Sequence, residues 1–482
     1  MSKPKIAALA AVLLAGCATA PDTKPATGEA KPDLGFAADP YPSTYARVAG
    51  PAVLLQRATV LTGTGTRLDN ADVLMRDGKI VAVGNAIDAP ADAVRIDATG
   101  KWVTPGIIDI HSHLGVYPSP GVKAHSDGNE MTAPVTANVW AEHSIWAQDP
   151  GFHTALAGGV PSLQILPGSA NLVGGRGVTL KNVPSTTYQG MKFPGAPWGL
   201  KMACGENPKR VYGGKSGPAT RMGNVAGYRA AFIDASEYLK KNAPKPQQPK
   251  KKRWWERASG DDKADSGGDS GGKRDLKLDT LAGAINGEIL VHIHCYRADE
   301  MATMLDLAKE FGFKVAAFHH GVEAYKLADR LAQEGVCGAL WADWWGFKME
   351  AFDGIQENIA LVDRPANSCA IVHSDSDEGI QRLNQEAAKV MANARRAGMG
   401  DIPPERAIRW VTGNAAKSLG IAERTGTLEA GKMADVVVWN QNPFSVYAKA
   451  EQVYIDGARL YDRNDRSRQP VSDFMLGQEV MP

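Results

Sequence analysis

The chain has 482 residues and a net charge of +1, 54 basic against 53 acidic, with 44% hydrophobic and 22% charged residues. Those proportions belong to an ordinary globular protein too long for one small core, and the balanced charge leaves no electrostatic footprint for nucleic acid. With 51 Gly and 29 Pro the chain is not mainly disordered, and five Cys in this length are no disulfide scaffold.

Residues 1–16 carry Lys3 and Lys5, then an apolar run over 6–14 that is too short to span a bilayer, and end in Leu14-Ala15-Gly16 before Cys17. This reads as an export signal. The Leu-Ala-Gly-Cys ending resembles the bacterial lipoprotein signal, which implies lipidation at Cys17. With Ala18 following in place of Asp, it implies an outer-membrane anchor facing the periplasm. Residues 17–50, rich in Pro, Ala, Thr and Lys, are expected to be a flexible, solvated tether.

Short β-rich runs follow at 53–55, 58–61, 71–75 and 79–83, the last two joined by the turn Arg76-Asp77-Gly78. The same grammar returns at 434–439 and 452–457. The two ends, 51–105 and 425–482, are therefore expected to form one composite β-sandwich domain. Residues 106–424 have the size of a (β/α)8 TIM-type barrel.

Inside that middle, strand-like 288–293 precedes a helical pattern over 298–311, and 314–318 precedes one over 322–334. Repeated β-then-α units imply a parallel sheet, with chemistry at the C-terminal strand ends. Those ends hold histidines and carboxylates. In Ile107-Ile108-Asp109-Ile110-His111-Ser112-His113, alternation projects His111 and His113 to one side, where they can grip one ion. Further apolar strands end at His292 and His294, at His319-His320, and at His373-Ser374-Asp375. Imidazole and carboxylate are the donors that borderline divalent metals such as zinc prefer.

Glycine-rich 167–177 lacks the Lys-Ser/Thr ending of a nucleotide loop and reads as a tight loop over the pocket. Residues 244–275, with Lys250-Lys251-Lys252-Arg253-Trp254-Trp255 followed by a Gly/Ser/Asp stretch, are expected to be a disordered, solvated insertion.

The strand from Val103-Thr104-Pro105-Gly106 to His113, the three later strand ends, and the tail Gly426-Thr427-Leu428-Glu429-Ala430-Gly431-Lys432-Met433-Ala434-Asp435 resemble the amidohydrolase superfamily. Within it they resemble the imidazolonepropionase-related, prolidase-like branch, over residues 53–462. The resemblance implies a metal-dependent barrel that hydrolyses C–N bonds of amides, peptides or cyclic imides. It implies one or two zinc ions or similar divalent metals, with His111 and His113 on the more buried ion and His294 and His320 on the more exposed one. Asp375 would bind the first ion and shuttle the proton as catalytic base and acid. Register favours His294 over His292 and His320 over His319, leaving the other two as donors behind the ligands. Lys201, N-carboxylated to an anionic carbamate, is the preferred bridging ligand and Glu206 its rival. Tyr212, Arg210, Tyr296, Arg297 and His143 are candidate substrate contacts.

The implied substrate is a small amide or dipeptide. The alternatives are a cyclic-imide hydrolase or deaminase using the same site, and a non-catalytic envelope lipoprotein that keeps the fold. The membrane is met through the lipid on Cys17, no nucleic-acid partner is expected, and a homo-oligomer is left open. The pairing of Cys204, Cys295, Cys337 and Cys369 is undetermined.

Overall fold

The structure, a computed structural model, describes residues 35–119, 121–215, 217–242 and 274–469. Cys17, its signal and the insertion up to residue 273 lie outside the described residues.

Five strands open the fold: β1 (Val53–Leu61), β2 (Arg67–Arg76), β3 (Lys79–Gly84), β4 (Val94–Asp97) and β5 (Trp102–Pro105). The two runs expected within 53–61 are one strand, bulged where Arg57 takes a φ of 62°. Between β2 and β3, Asp77 and Gly78 both have positive φ, 51° and 79°. That turn matches the right-handed twist of its flanking strands. At the other end of the chain, β14 (Val436–Trp439), β15 (Ala450–Ile455) and β16 (Ala458–Asp462) complete one eight-stranded sheet. Its order is β16-β15-β14-β5-β1-β2-β3, with β4 beside β1. The repeated strand grammar of the two ends is thus realised as one shared sheet, whose core includes Val60, Val73, Val103, Val436 and Tyr454.

The second sheet takes its eight strands in chain order: β6 (Ile108–Ser112), β7 (Ser162–Ile165), β8 (Val173–Lys181), β9 (Trp198–Ala203), β10 (Ile289–Cys295), β11 (Val315–His320), β12 (Cys337–Leu340) and β13 (Ala370–Val372). Backbone N–H of Asp375 donates to His111 O at 2.9 Å and that of Ser374 to Asp109 at 3.2 Å, which brings the two edges together into a nearly closed barrel.

One strand departs from the expected (β/α)8 repeat. β8 runs antiparallel to both β7 and β9, while the other neighbours are parallel. The β7–β8 link is only residues 166–172, and a parallel crossover needs a dozen or more. The same segment corrects the expected loop over 167–177, since its second half is strand. A Cβ on Gly175 (φ 111°) would stand 2.2 Å from Val139 O, and one on Gly177 would stand 2.5 Å from Leu166 Cδ2. These glycines allow backbone to approach backbone; they do not cradle phosphate.

The helix expected over 298–311 is Ala298–Phe311, burying Met301, Met304, Leu305 and Ala308 on one stripe and ending at Gly312 with φ 79°. The pattern over 322–334 resolves into a 3₁₀ turn, Ala324–Leu327, and a helix, Ala328–Glu334. Residues 36–45, expected to belong to the solvated tether, lie against the barrel instead. Phe36 is buried and its carbonyl accepts from Arg176, Asp39 pairs with Lys192 at 2.8 Å, and Tyr45 Oη donates to Asp456 at 2.6 Å. Aromatic area and a partnered charge outweigh the polar composition around them. The insertion likewise stops short of 275, because Asp275 caps the helix Leu276–Asn286 by accepting from the N–H of Lys277 and Leu278.

Lys181, on β8, is fully buried and reaches the other sheet, with its Nζ 3.0 Å from both carboxylate oxygens of Asp435 and 3.1 Å from Asp456. Disulfides join Cys204 to Cys295 and Cys337 to Cys369, each between neighbouring barrel strands.

Candidate metal centre

On β6, Ile108 and Ile110 pack in one cluster with Ala415, Ala416 and Leu419, and alternation turns Asp109 and His111 to the other side, into the barrel. His111 Nε2 is the convergence point. It stands 3.3 Å from His113 Nε2, 3.2 Å from Lys201 Nζ and 3.3 Å from Asp375 Oδ1, which is itself 3.1 Å from His113 Nε2. His113 Nδ1–H donates to Leu166 O at 2.8 Å, and this leaves the His113 Nε2 lone pair free.

Lys201 is fully buried on β9, in register with His292 on β10, and His294 follows two residues on, in register with Ala203 and with His319 of β11. Adjacent residues of a strand face opposite sides, so His319 and His320 cannot both enter the barrel from regular strand. His320 does so because its φ is 71°. Asp375 shares this left-handed conformation at 56°, which a non-glycine residue adopts only where its surroundings enforce it. The His320 ring then lies 4.8 Å from that of His111 and 4.6 Å from that of His294.

Ligand atoms of His111, His113 and Asp375 all lie within 4.8 Å of one another, as do those of His111, His320 and His373. Nδ1 of His294, His320 and His373 are buried without a hydrogen-bond partner among the described residues. Unpartnered lone pairs beside a carboxylate are a donor set that fits a divalent cation. The protonation states agree. Burial, reinforced by the charge of Lys201 and by neighbouring histidines, holds His111 and His320 well below the ordinary histidine range, and burial brings His373 down to about 3, so these rings are neutral at pH 7. Burial pushes the Asp375 carboxyl up, but the positive charge around it, that of Lys201 included, outweighs that and holds it below the usual carboxylate value. Burial lowers Lys201 to about 7 against the pull of Asp375. Asp109, fully buried, is pushed up to about 7 despite hydrogen bonds from Ser374 and the His111 backbone.

The other expected residues divide. Tyr296 stacks on His320 at 5.4 Å, with Lys348 Nζ 4.0 Å over its ring. Glu206, the rival to Lys201, is not in the cluster: it opens the helix Glu206–Tyr212 and its carboxylate lies 3.6 Å from Lys348, on the rim. Arg297 turns to Asp299 at 3.2 Å, His143 stacks on Trp140 at 5.5 Å, Arg210 is exposed and Tyr212 is buried at the end of its helix. Among the described residues, none of these four has a hydrogen bond or ring contact to the histidine cluster.

His292 and His319 adjoin the cluster: His319 is 2.9 Å from His111 and 3.0 Å from His292. Sequence reasoning missed other groups. Ser374 Oγ donates to Asp109, Trp341 stacks on His320 at 4.2 Å, and Asn207 reaches His294 at 3.3 Å. His373 was legible in the His-Ser-Asp strand end, and Trp341 in the aromatic run that follows β12. Asn207 had no signal.

A model described as the amidohydrolase family matches residues 323–461. The chain is 32% identical to the amidohydrolase tasK of Hapsidospora irregularis over 456 residues, 87% of this chain but only 44% of that protein, so it spans less than half of that relative's length. A crystal structure of an amidohydrolase from Thermotoga maritima is 35% identical and superposes with a TM-score of 0.74, covering 85% of this chain and all of the other. A prolidase crystallised with n-methylphosphonate-l-proline, 16% identical with a TM-score of 0.50 over 86% of this chain and all of the other, shares the fold. Full coverage of the Thermotoga protein at that identity, together with the histidine-lined barrel, places this chain in the amidohydrolase family.

Proposed function

We propose that the protein is a metal-dependent hydrolase of C–N bonds in small amides or dipeptides, of the imidazolonepropionase-related, prolidase-like branch. The observation that carries this reading is the convergence of His113, Asp375 and Lys201 on His111 Nε2, all within 3.3 Å. His111, His113 and Asp375 would hold one ion, His294 and His320 a second, with Lys201 between them as its carbamate. Zinc suits the donors. A divalent ion so held supplies polarisation of the carbonyl and a water acidified to a pKa of about 7.

The chain's own residues supply the rest. The Asp375 carboxylate is ionised at neutral pH, accepts the proton of the attacking water and returns it to the leaving nitrogen. Buried Asp109 accepts from the Ser374 and His111 backbone N–H groups and fixes both strand ends relative to one another. Tyr296 and Trp341 flank His320 and keep bulk water from that side.

Assaying metal-loaded protein on dipeptides, N-acyl amino acids and cyclic imides tests this. Hydrolysis of the open amides is expected; turnover confined to rings would move the reading to cyclic-imide hydrolysis or deamination. Less than one tightly bound ion per chain would favour a non-catalytic envelope protein.

We also propose export to the cell envelope and lipid anchoring at Cys17. The two buried disulfides support an oxidising compartment, where such bonds persist. Cys17→Ser is expected to abolish lipid labelling, and unchanged labelling would remove the anchor.

A further inference from the structure

Beside the ligand cluster lies a wall of indoles. Trp341, buried, stacks on His320 at 4.2 Å and on Trp344 at 5.2 Å, so a run of stacked rings links the histidines to Trp344 at the surface. Trp344 remains 40% exposed. An indole face left open on a cavity wall offers apolar surface that a ligand ring can cover. The wall bounds a cavity of about 320 Å³ that His373, Glu378 and Arg382 also line. Two further charges there are satisfied, since Lys389 lies 2.7 Å from Glu386 and 3.1 Å from Asp343. Arg382 and Glu378 have no ion-pair partner within 4.0 Å among the described residues.

We propose that this cavity is the subsite for an amino acid with a bulky apolar side chain and a free carboxylate, the side chain lying against Trp344 and the carboxylate on Arg382. The proposal rests on the amide-hydrolase reading and names the half of the substrate that leaves as the amine. Hydrolysis consumes one water: the C–N bond breaks, the acyl carbon gains the hydroxyl, and the nitrogen takes the proton. The released amino acid is then a zwitterion at neutral pH, and two opposite, unpaired charges on one cavity wall suit its two ends. A guanidinium meets a carboxylate bidentately, and an aromatic or branched side chain matches an indole face.

Calorimetric titration of the metal-containing protein with L-phenylalanine, L-phenylalaninamide and glycine separates these contacts without turnover. Phenylalanine is expected to bind about tenfold or more tighter than either of the others, the worth of one charge-assisted hydrogen bond or one buried ring. Arg382→Gln should erase its advantage over the amide, Arg382→Lys should restore part of it, and Trp344→Ala should erase its advantage over glycine. Both side chains are exposed, so these variants keep the fold. Binding of the three ligands within about twofold of one another, or no response to Arg382→Gln, overturns the subsite. The expected binding pattern in a protein that hydrolyses no acyl-phenylalanine upholds the subsite and removes the hydrolase reading. Equal kcat/KM on acyl-glycine and acyl-phenylalanine, unmoved by Arg382→Gln, removes the subsite and leaves the hydrolase reading standing.

Discussion

The Nδ1 atoms of His111 and His319 stand 2.9 Å apart inside the barrel. To offer its Nε2 lone pair to a cation, His111 would carry its proton on Nδ1, donating there to His319. The His319 proton is then on Nε2, 3.0 Å from His292 Nδ1, which accepts in turn. One ligand role thus sets the tautomers of three rings. His319→Phe keeps a ring of similar size but removes the acceptor, and it is expected to weaken divalent-metal binding about 10–100-fold. Chelator competition measures this; unchanged affinity would refute the chain of donors.

The surroundings also change the chemistry open to Lys201. Burial brings its amine to about 7, so a large neutral fraction exists at physiological pH, and only the neutral amine attacks carbon dioxide. Wild-type protein equilibrated with ¹³C-bicarbonate is expected to show a carbamate resonance that Lys201→Met lacks. The same variant should hold less metal, while Glu206→Gln should leave metal content unchanged, since Glu206 pairs with Lys348 on the rim. Loss of metal in Glu206→Gln alone would reverse the two assignments.

Asp375 is held below the usual carboxylate value by the positive charge around it, that of Lys201 included, against the effect of burial. Asp375→Asn keeps a similar shape and one oxygen but cannot accept the proton. A fall in kcat on the order of 10²–10⁴ is expected. Metal analysis of the same preparation separates lost proton transfer from lost metal, and turnover within about tenfold of the parent at full metal content would end the assigned role.

Lys181 carries the buried link between the two sheets, answering Asp435 and Asp456 together. Lys181→Met leaves two carboxylates without their cation in a dry environment, and the unfolding free energy should drop by about 3–5 kcal/mol. Denaturant melts give the figure; a change under about 1 kcal/mol would mean that water already reaches the pair.

Strand alternation made His111 and His113 legible as a pair: His113 lies just past the end of β6, and the extended chain still carries both side chains to one side, 3.3 Å apart at Nε2. The apolar runs before His294, His320 and Asp375 likewise announced buried strands ending in donors. The chain's own order therefore announced the barrel strands that end near His111, His294, His320 and Asp375, and the kinship of the strand-rich segments at its two ends. Three things were decided only in three dimensions. Whether His319 or His320 faces a cation depends on one positive φ, which period-two reasoning does not contain. The reversal of β8 depends on how few residues separate it from β7 and on glycines that let backbone touch backbone. Which of Lys201 and Glu206 stands beside the histidines depends on where each lies: Lys201 is in mid-strand, 3.2 Å from His111, and Glu206 begins the helix beyond and lies nearest a lysine. Sequence spacing determines which side a residue faces, but only packing determines which atoms meet there.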